Sequence, residues 1–418
     1  MLQDTRYIIK IKKSDHIECM CVMIFEIKSL LFRRVYTPLL AWLIRRKDRI
    51  RVLFVLQYLS EWKTEALYIA MLNHSRFEPI IGIIPCMEIP EEETLLKKYC
   101  EQKGYPYQNI QSEKTLTEQI NPDIVIHPKQ YDSTIYPKHQ INANPKSLFV
   151  YVPYAFNNIV ASWYINTYLT CYGWQFYFEN NNSCEELKAI HKNHGHNFVA
   201  TGLPMMDILL LPKHSFANPW PEMPDSRKRI IYAPHHTIAN LHAADVNYST
   251  FLENCDFMLE MAEKYKSQVY FVFKPHPRLH RNLVEYWGKE KADAYYKKWE
   301  KPGVSHIELG EYIGLFKHSD AMIHDCGSFI IEYMYTDNPV MYLVKNTRTT
   351  DNMTQYAKSA YDLHYKGKSH EDIERFIQDI IAGKDTLKEV RLQYKQEELS
   401  PPHGKTACEN IIDAILGI

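Results

Sequence analysis

The chain has 418 residues, 45% of them apolar, a formal net charge of −1 and nine cysteines. At roughly 150 residues per domain this suits two folded domains, and a charge so near zero excludes recruitment of nucleic acid or an anionic membrane by a global field. The cysteines are scattered without a CxxC pair, which indicates free thiols in a reducing compartment; with no signal-peptide order and no uncharged run of about 18 residues, the expected location is cytoplasmic.

Residues 1–49 stand apart as an N-terminal segment. Within it, MIFEIKSLLFRRVYTPLLAWLIRRKDR (23–49) places Ile24, Ile27, Leu31, Val35, Leu39 and Leu43 at helical spacing, with arginines between and after them. The pattern predicts two basic amphipathic helices broken near Pro38. They suit either an interfacial membrane contact or packing on their own domain.

An alternation of strands and helices then begins. Val52–Leu56 is a buried strand and Glu61–Leu72 a helix. FEPIIGIIP (77–85), a helix near 91–103, PDIVIHP (122–128), LFVYVPY (148–154) and NFVATGLPMMDILL (197–210) continue it. Four prolines in PKHSFANPWPEMPDSRK (212–228) mark a linker, placed at 213–228. A second alternation follows, with strands RIIYAP (229–234), VYFVFKPHP (269–277), AMIHD and PVMYL, helices at 250–265 and 280–300, and a helix opened by Ser369. Such alternation predicts α/β architecture with parallel sheets. Two Rossmann-like domains, 50–212 and 229–418, are expected to face a central cleft.

Ligands of parallel sheets sit beyond the carboxyl ends of the strands. In the second half three strand ends carry polar groups: His235, His236 and Thr237; Lys274 and His276; and the corner Asp325–Ser328. Two prolines hold His276 rigid beside an ammonium, a setting for donating to a phosphate oxygen or for giving a proton to a leaving phosphate. Gly327 admits a phosphate close to the backbone, Ser328 opens a helix and Glu332 is placed to accept from a ribose. The other reading of this corner is an ordinary turn whose Asp325 caps the helix. No metal is expected. His191, His194 and His196 lack a ligand pattern, and His235 and His236, with His242, are adjacent residues that should point apart.

YAPHHT, FKPHP, DCGSFIIEYMYTDNPVMYL and PPHGKTACENIIDAI resemble the donor-binding half of the CDP-glycerol glycerophosphotransferases, the polymerases and primases of teichoic acid and capsule. The resemblance implies a GT-B-like fold, peripheral on the inner face of the cell membrane. It implies transfer of glycerol phosphate, or a similar polyol phosphate, from a CDP-activated donor to a lipid-linked or polymeric envelope acceptor. No separate cofactor is implied. His276, Lys274, Gly327, Ser328 and the His235–Thr237 loop would contact the pyrophosphate. The family's N-terminal Trp-His-Gly motif, whose histidine is its proposed base, corresponds here to FVYVPYAFNN (149–158), which has no histidine. Asp132 and His127 are the candidate substitutes. A GT-B glycosyltransferase using a nucleotide sugar, and a non-catalytic docking protein of the same fold, are the alternatives.

Overall fold

The computed structural model describes residues 32–418 except 87–88, 224–225, 239–248, 311 and 347–349; the side chains of 32, 33 and 132 also lie outside the description. Residues 23–31 of the first expected amphipathic helix fall outside it.

Apolar runs with no polar alternation become central parallel strands, because helices cover both faces of such a sheet. Among the described residues the first half forms β1 (Ile50–Leu56), β2 (Phe77–Ile83), β3 (Tyr107–Asn109), β4 (Ile124–His127), β5 (Leu148–Tyr151), β6 (Gln175–Phe178) and β7 (Phe198–Ala200). Their order is β3-β2-β1-β4-β5-β6-β7. The second half forms β8 (Lys228–Ala233), β9 (Val269–Phe273), β10 (Ser305–Ile307), β11 (Ala321–His324), β12 (Val340–Leu343) and β13 (Tyr365–Gly367), in the order β10-β9-β8-β11-β12-β13. All the pairings are parallel. Strand order reverses between β1 and β4 in one sheet and between β8 and β11 in the other. A reversal of this kind opens a crevice at the carboxyl ends.

Alternation along each strand divides the cores. In β1, Val52, Phe54 and Leu56 enter one cluster while Leu53 and Val55 enter another. The first of these clusters continues through Phe156, Tyr335 and Tyr356 to Ile231, Ala233, Met322 and Val340 of the second half. One apolar core therefore joins both halves, each large buried side chain contributing about 1.5–3 kcal/mol. Trp220, inside the Pro-rich linker, is buried as well and donates from Nε1 to the Leu315 carbonyl at 3.1 Å.

Several strands stop short of their apolar runs for one reason. β2, β5 and β9 end before Pro85, Pro153 and Pro275, since proline has no N–H for the ladder. The expected helix 280–300 is two helices, Leu279–Trp287 and Lys289–Trp299, separated at Gly288 with φ +84°. The Ser369 cap forms as expected, its side chain accepting from Asp372 N. The seven cysteines among the described residues are buried free thiols.

The chain's end returns to the first half. The helix Ala407–Leu416, within the 229–418 span, starts on Asp207, whose carboxylate accepts from Ala407 N at 2.7 Å and Cys408 N at 2.9 Å. Gly202, at φ +79°, permits the approach: a Cβ there would lie 2.8 Å from Pro401 Cβ and 2.9 Å from Ala407 Cβ. At its other end the helix meets Arg45, which donates to the carbonyls of Ile415 (2.8 Å) and Ala414 (3.0 Å). The helix Thr37–Arg45 packs Ala41 and Ile44 inward and leaves Leu39, Trp42 and Leu43 about half exposed.

Candidate active site in the interdomain cleft

A cavity of about 570 Å³ lies between the two halves, at the carboxyl ends of both sheets. That volume suits a nucleotide-sized ligand. From the second half His235, His236, His276, Arg278, Gly327 and Ser328 line it. The first half contributes Tyr58, Glu61, Lys129, Tyr131 and Tyr154.

The histidine wall is assembled by backbone ties. Asp325, at the end of β11, is fully buried and accepts from His235 N at 2.5 Å, Thr250 N at 2.6 Å and Thr250 Oγ1 at 3.0 Å. After β9 the chain stays extended beside β8: Lys274 N donates to Tyr232 O at 2.8 Å and His276 N to Pro234 O at 3.1 Å. Three imidazoles are thus drawn together. Ring centroids are 4.4 Å apart for His235 and His236, 4.2 Å for His236 and His276, and 5.2 Å for His235 and His276. The expectation that adjacent His235 and His236 diverge is overturned, because the turn after Pro234 is not a regular strand and does not alternate its side chains.

Three histidines with ring nitrogens within 4.8 Å of one another have the composition of a metal site. Their second partners argue for a different ligand. His276 Nδ1 accepts from Arg278 N at 3.1 Å, and His235 Nδ1 faces both Thr237 Oγ1 at 2.9 Å and Thr237 N at 3.4 Å. His236 Nδ1 faces the Asn282 amide nitrogen at 3.3 Å. A backbone or amide N–H can only donate, so each Nδ1 is the acceptor and the ring proton sits on Nε2. Burial, followed by the charges of His236, Arg278 and Lys274, holds His276 well below the usual imidazole range, hence neutral. Ring N–H groups beside Arg278 suit an anion. A cation here would require the protons to move to Nδ1 and break those three contacts.

The remaining sequence-derived site residues divide. Gly327 and Ser328 line the cavity, and a Cβ on Gly327 would meet nothing within 4 Å, so the backbone is open there. The Gly327 carbonyl accepts from Asn158 of the first half at 2.9 Å. The helix after the corner is only Phe329–Glu332, too short for a useful dipole. Four residues expected at the nucleotide do not line the cavity. Thr237 is buried behind the wall, where it supports the His235 ring. Lys274 is buried and turned to the Gly310 carbonyl at 3.1 Å. Asp325 lies beneath the cavity lining and ties His235 and Thr250, so it caps no helix at the corner. Glu332 is buried; desolvation raises its pKa, with Lys63 and Tyr312 opposing. Its helical position turns it to the interdomain seam. His127 is buried against Phe149, and desolvation depresses its pKa to about 3, which removes it as a cleft base. The Asp132 side chain is outside the description; its neighbours Tyr131, Ser133 and Thr134 line the cavity.

Residue spacing did not single out Glu61, Lys129 or Arg278. Lys129 follows β4 and Glu61 lies in the turn after β1, so the pair bridges the strand-order reversal of the first sheet, at 3.1 Å and with both side chains nearly buried. Lys129 Nζ also sits 4.3 Å from the Tyr58 ring centroid. Burial raises the Glu61 carboxyl above its usual range, against the opposing pull of Lys129 and Arg278. The available signal was positional: a charged residue just past the end of each central strand.

The profile of the family described as CDP-Glycerol:Poly(glycerophosphate) glycerophosphotransferase matches residues 166–416, more than half of the chain. The chain belongs to this family. Solved structures share the fold of this glycerophosphotransferase. The wall teichoic acid polymerase TagF is 12% identical, covers 96% of this chain and 97% of its own, and superposes with a TM-score of 0.57. A putative UDP-N-acetylglucosamine 2-epimerase from Listeria monocytogenes is 15% identical over 88% of this chain and 96% of its own, at 0.60. The UDP-GlcNAc 2-epimerase from Neisseria meningitidis bound to UDP-GlcNAc is 14% identical over 88% and 100%, at 0.57. No curated protein sequence matches. Family membership makes the protein a transferase acting on a nucleotide-activated donor, and its fold is the expected GT-B-like pair of parallel-sheet domains.

Proposed function

We propose that this glycerophosphotransferase moves glycerol phosphate from CDP-glycerol to a hydroxyl of a glycerophosphate-bearing or lipid-linked envelope acceptor, in teichoic acid or capsule synthesis. The observation that carries the proposal is the His235–His236–His276 cluster, three rings wired as Nε2–H donors beside Arg278 and the open Gly327–Ser328 backbone. Phosphoryl transfer needs positioning and charge stabilisation more than covalent help from the protein. The pyrophosphate rests on this wall, with the β-phosphorus turned to the first half. Attack by the acceptor hydroxyl forms the new P–O bond and releases CMP, whose growing charge the N–H donors and Arg278 stabilise. The purified chain is expected to release CMP from CDP-glycerol with a glycerophosphate oligomer as acceptor. It should show a thermal shift with CDP-glycerol larger than with UDP-sugars. A larger shift with a UDP-sugar would favour the nucleotide-sugar alternative.

The proposal includes contact with a lipid surface on the acceptor side. No helix among the described residues is long and apolar enough to cross a membrane. The helix Thr37–Arg45 nevertheless exposes Leu39, Trp42 and Leu43 beside Arg46, whose guanidinium stacks 3.7 Å from the Trp42 ring centroid. An apolar face rimmed with arginine suits the headgroup boundary of the inner leaflet. Replacing both Trp42 and Leu43 by glutamate is expected to lower the fraction co-sedimenting with anionic vesicles about tenfold or more. Turnover on a soluble oligomer should be unchanged. Equal sedimentation of variant and wild type would remove this helix from membrane contact.

A further inference from the structure

We propose that Glu61 is the general base that activates the acceptor hydroxyl and that Lys129 positions it. The inference rests on the phosphoryl-transfer function above. It addresses the step for which FVYVPYAFNN offers no histidine.

Three observations converge. Glu61 and Lys129 sit at the β1–β4 reversal, the crevice of the first sheet, and line the cavity opposite the histidine wall. The two carboxylate oxygens are differentiated: Oε1 holds Lys129 Nζ at 3.1 Å, whereas Oε2 is buried with no hydrogen-bond partner among the described residues. A buried, unpartnered acceptor atom is costly and calls for an external donor. An acceptor hydroxyl supplies one. The other polar groups of this wall fit the role less well. Tyr154 is half-buried, and desolvation holds its phenol well above the usual range. Glu92, also a lining residue, is engaged in accepting from Leu59 N at 3.0 Å. Desolvation raises Glu61, against the opposing pull of Lys129, so the carboxylate is a stronger base than a solvated one.

In the step, the acceptor O–H proton passes to Glu61 Oε2 as the acceptor oxygen bonds the β-phosphorus. The bond from that phosphorus to the bridging oxygen breaks, and its electron pair leaves with CMP. Glu61 then returns the proton to solvent or to the departing CMP phosphate, so the cycle closes without a redox partner.

The test measures CMP release from CDP-glycerol with a glycerophosphate oligomer, alongside the CDP-glycerol thermal shift. Glu61→Gln is expected to lower kcat about 10²-fold or more while the donor-induced shift stays within that of wild type. In wild type kcat should rise with pH through a limb lying above 4.5, the ordinary value for this carboxyl. That limb should be absent from the residual activity of Glu61→Gln and displaced to higher pH in Lys129→Met, which removes the stabilising cation. Glu61→Asp, which keeps the carboxylate, should recover part of kcat, and it carries the test if the glutamine variant fails to fold. A purely structural ion pair would lower stability without moving the limb. Glu61→Gln with full turnover, or an acid limb unchanged in both variants, overturns the assignment. Wild-type protein that neither binds CDP-glycerol nor releases CMP would instead overturn the donor proposal on which it rests.

Discussion

His276→Ala is expected to cut CMP release from CDP-glycerol about 10²- to 10³-fold, the effect of removing one preorganised donor to developing charge. The ring is set by Pro275 and Pro277, by its own N–H to the Pro234 carbonyl and by Arg278 N–H at Nδ1. Its orientation is therefore fixed before substrate arrives, and little reorganisation remains to be made in the transition state. Because His276 is held well below the usual imidazole range, it stays neutral and donating across neutral pH. The residual activity of the alanine variant should accordingly keep the same acid limb as wild type, with only the height of the profile reduced. Full turnover by His276→Ala would remove the residue from the mechanism. A lost acid limb would instead make His276 the titrating group and contradict the neutral donor.

Asp325→Ala is expected to destabilise the chain by about 3 kcal/mol, at the upper end for buried donors deprived of their acceptor. Three donors lose that acceptor at once: the N–H groups of His235 and Thr250 and the Thr250 hydroxyl. The same cut frees the His235 turn, so the CDP-glycerol thermal shift should shrink together with the melting temperature. The conservative variant Asp325→Asn isolates the charge. Burial raises the Asp325 carboxyl to about 6, although its hydrogen bonds act in the opposite direction. A carboxyl raised in the folded state binds its proton more tightly there than in the unfolded chain. Its stabilising contribution is fully present below the unfolded value of 3.8 and is lost as pH rises through about 6. Asparagine has no such proton. The melting temperature of wild type relative to Asp325→Asn should therefore fall as pH rises from 3.8 to about 6 and level off above it. A relative melting temperature that rises over this range would show the carboxylate to be net stabilised by its hydrogen bonds.

Much of the fold was legible because the signals are local. VLFVL and IIYA have no polar alternation and cannot be half-solvated strands, and both lie in interior strands of their sheets. Prolines cut β2, β5 and β9 where the ladder required N–H groups. The sequence also located His276, Gly327 and Ser328 on the cavity wall, since each follows directly from a strand end. Lys274 and Glu332, expected beside the ligand as well, are buried off the cavity while their neighbours in the chain line it. The direction a side chain takes just beyond a strand depends on the turn, and the turns after β9 and β11 are held by contacts with β8 and with the first half.

By itself, then, the order of apolar runs and punctuating residues determined two parallel sheets, the strand ends that matter and the family of the donor half. Partnership across the chain was decided only in three dimensions. Glu61 meets Lys129 over 68 residues because β1 lies beside β4, and Asp325 meets His235 over 90 because β11 lies beside β8. Strand order is a non-local property, set by which hydrophobic faces bury together. No spacing within a single segment encodes which polar ends that burial brings face to face.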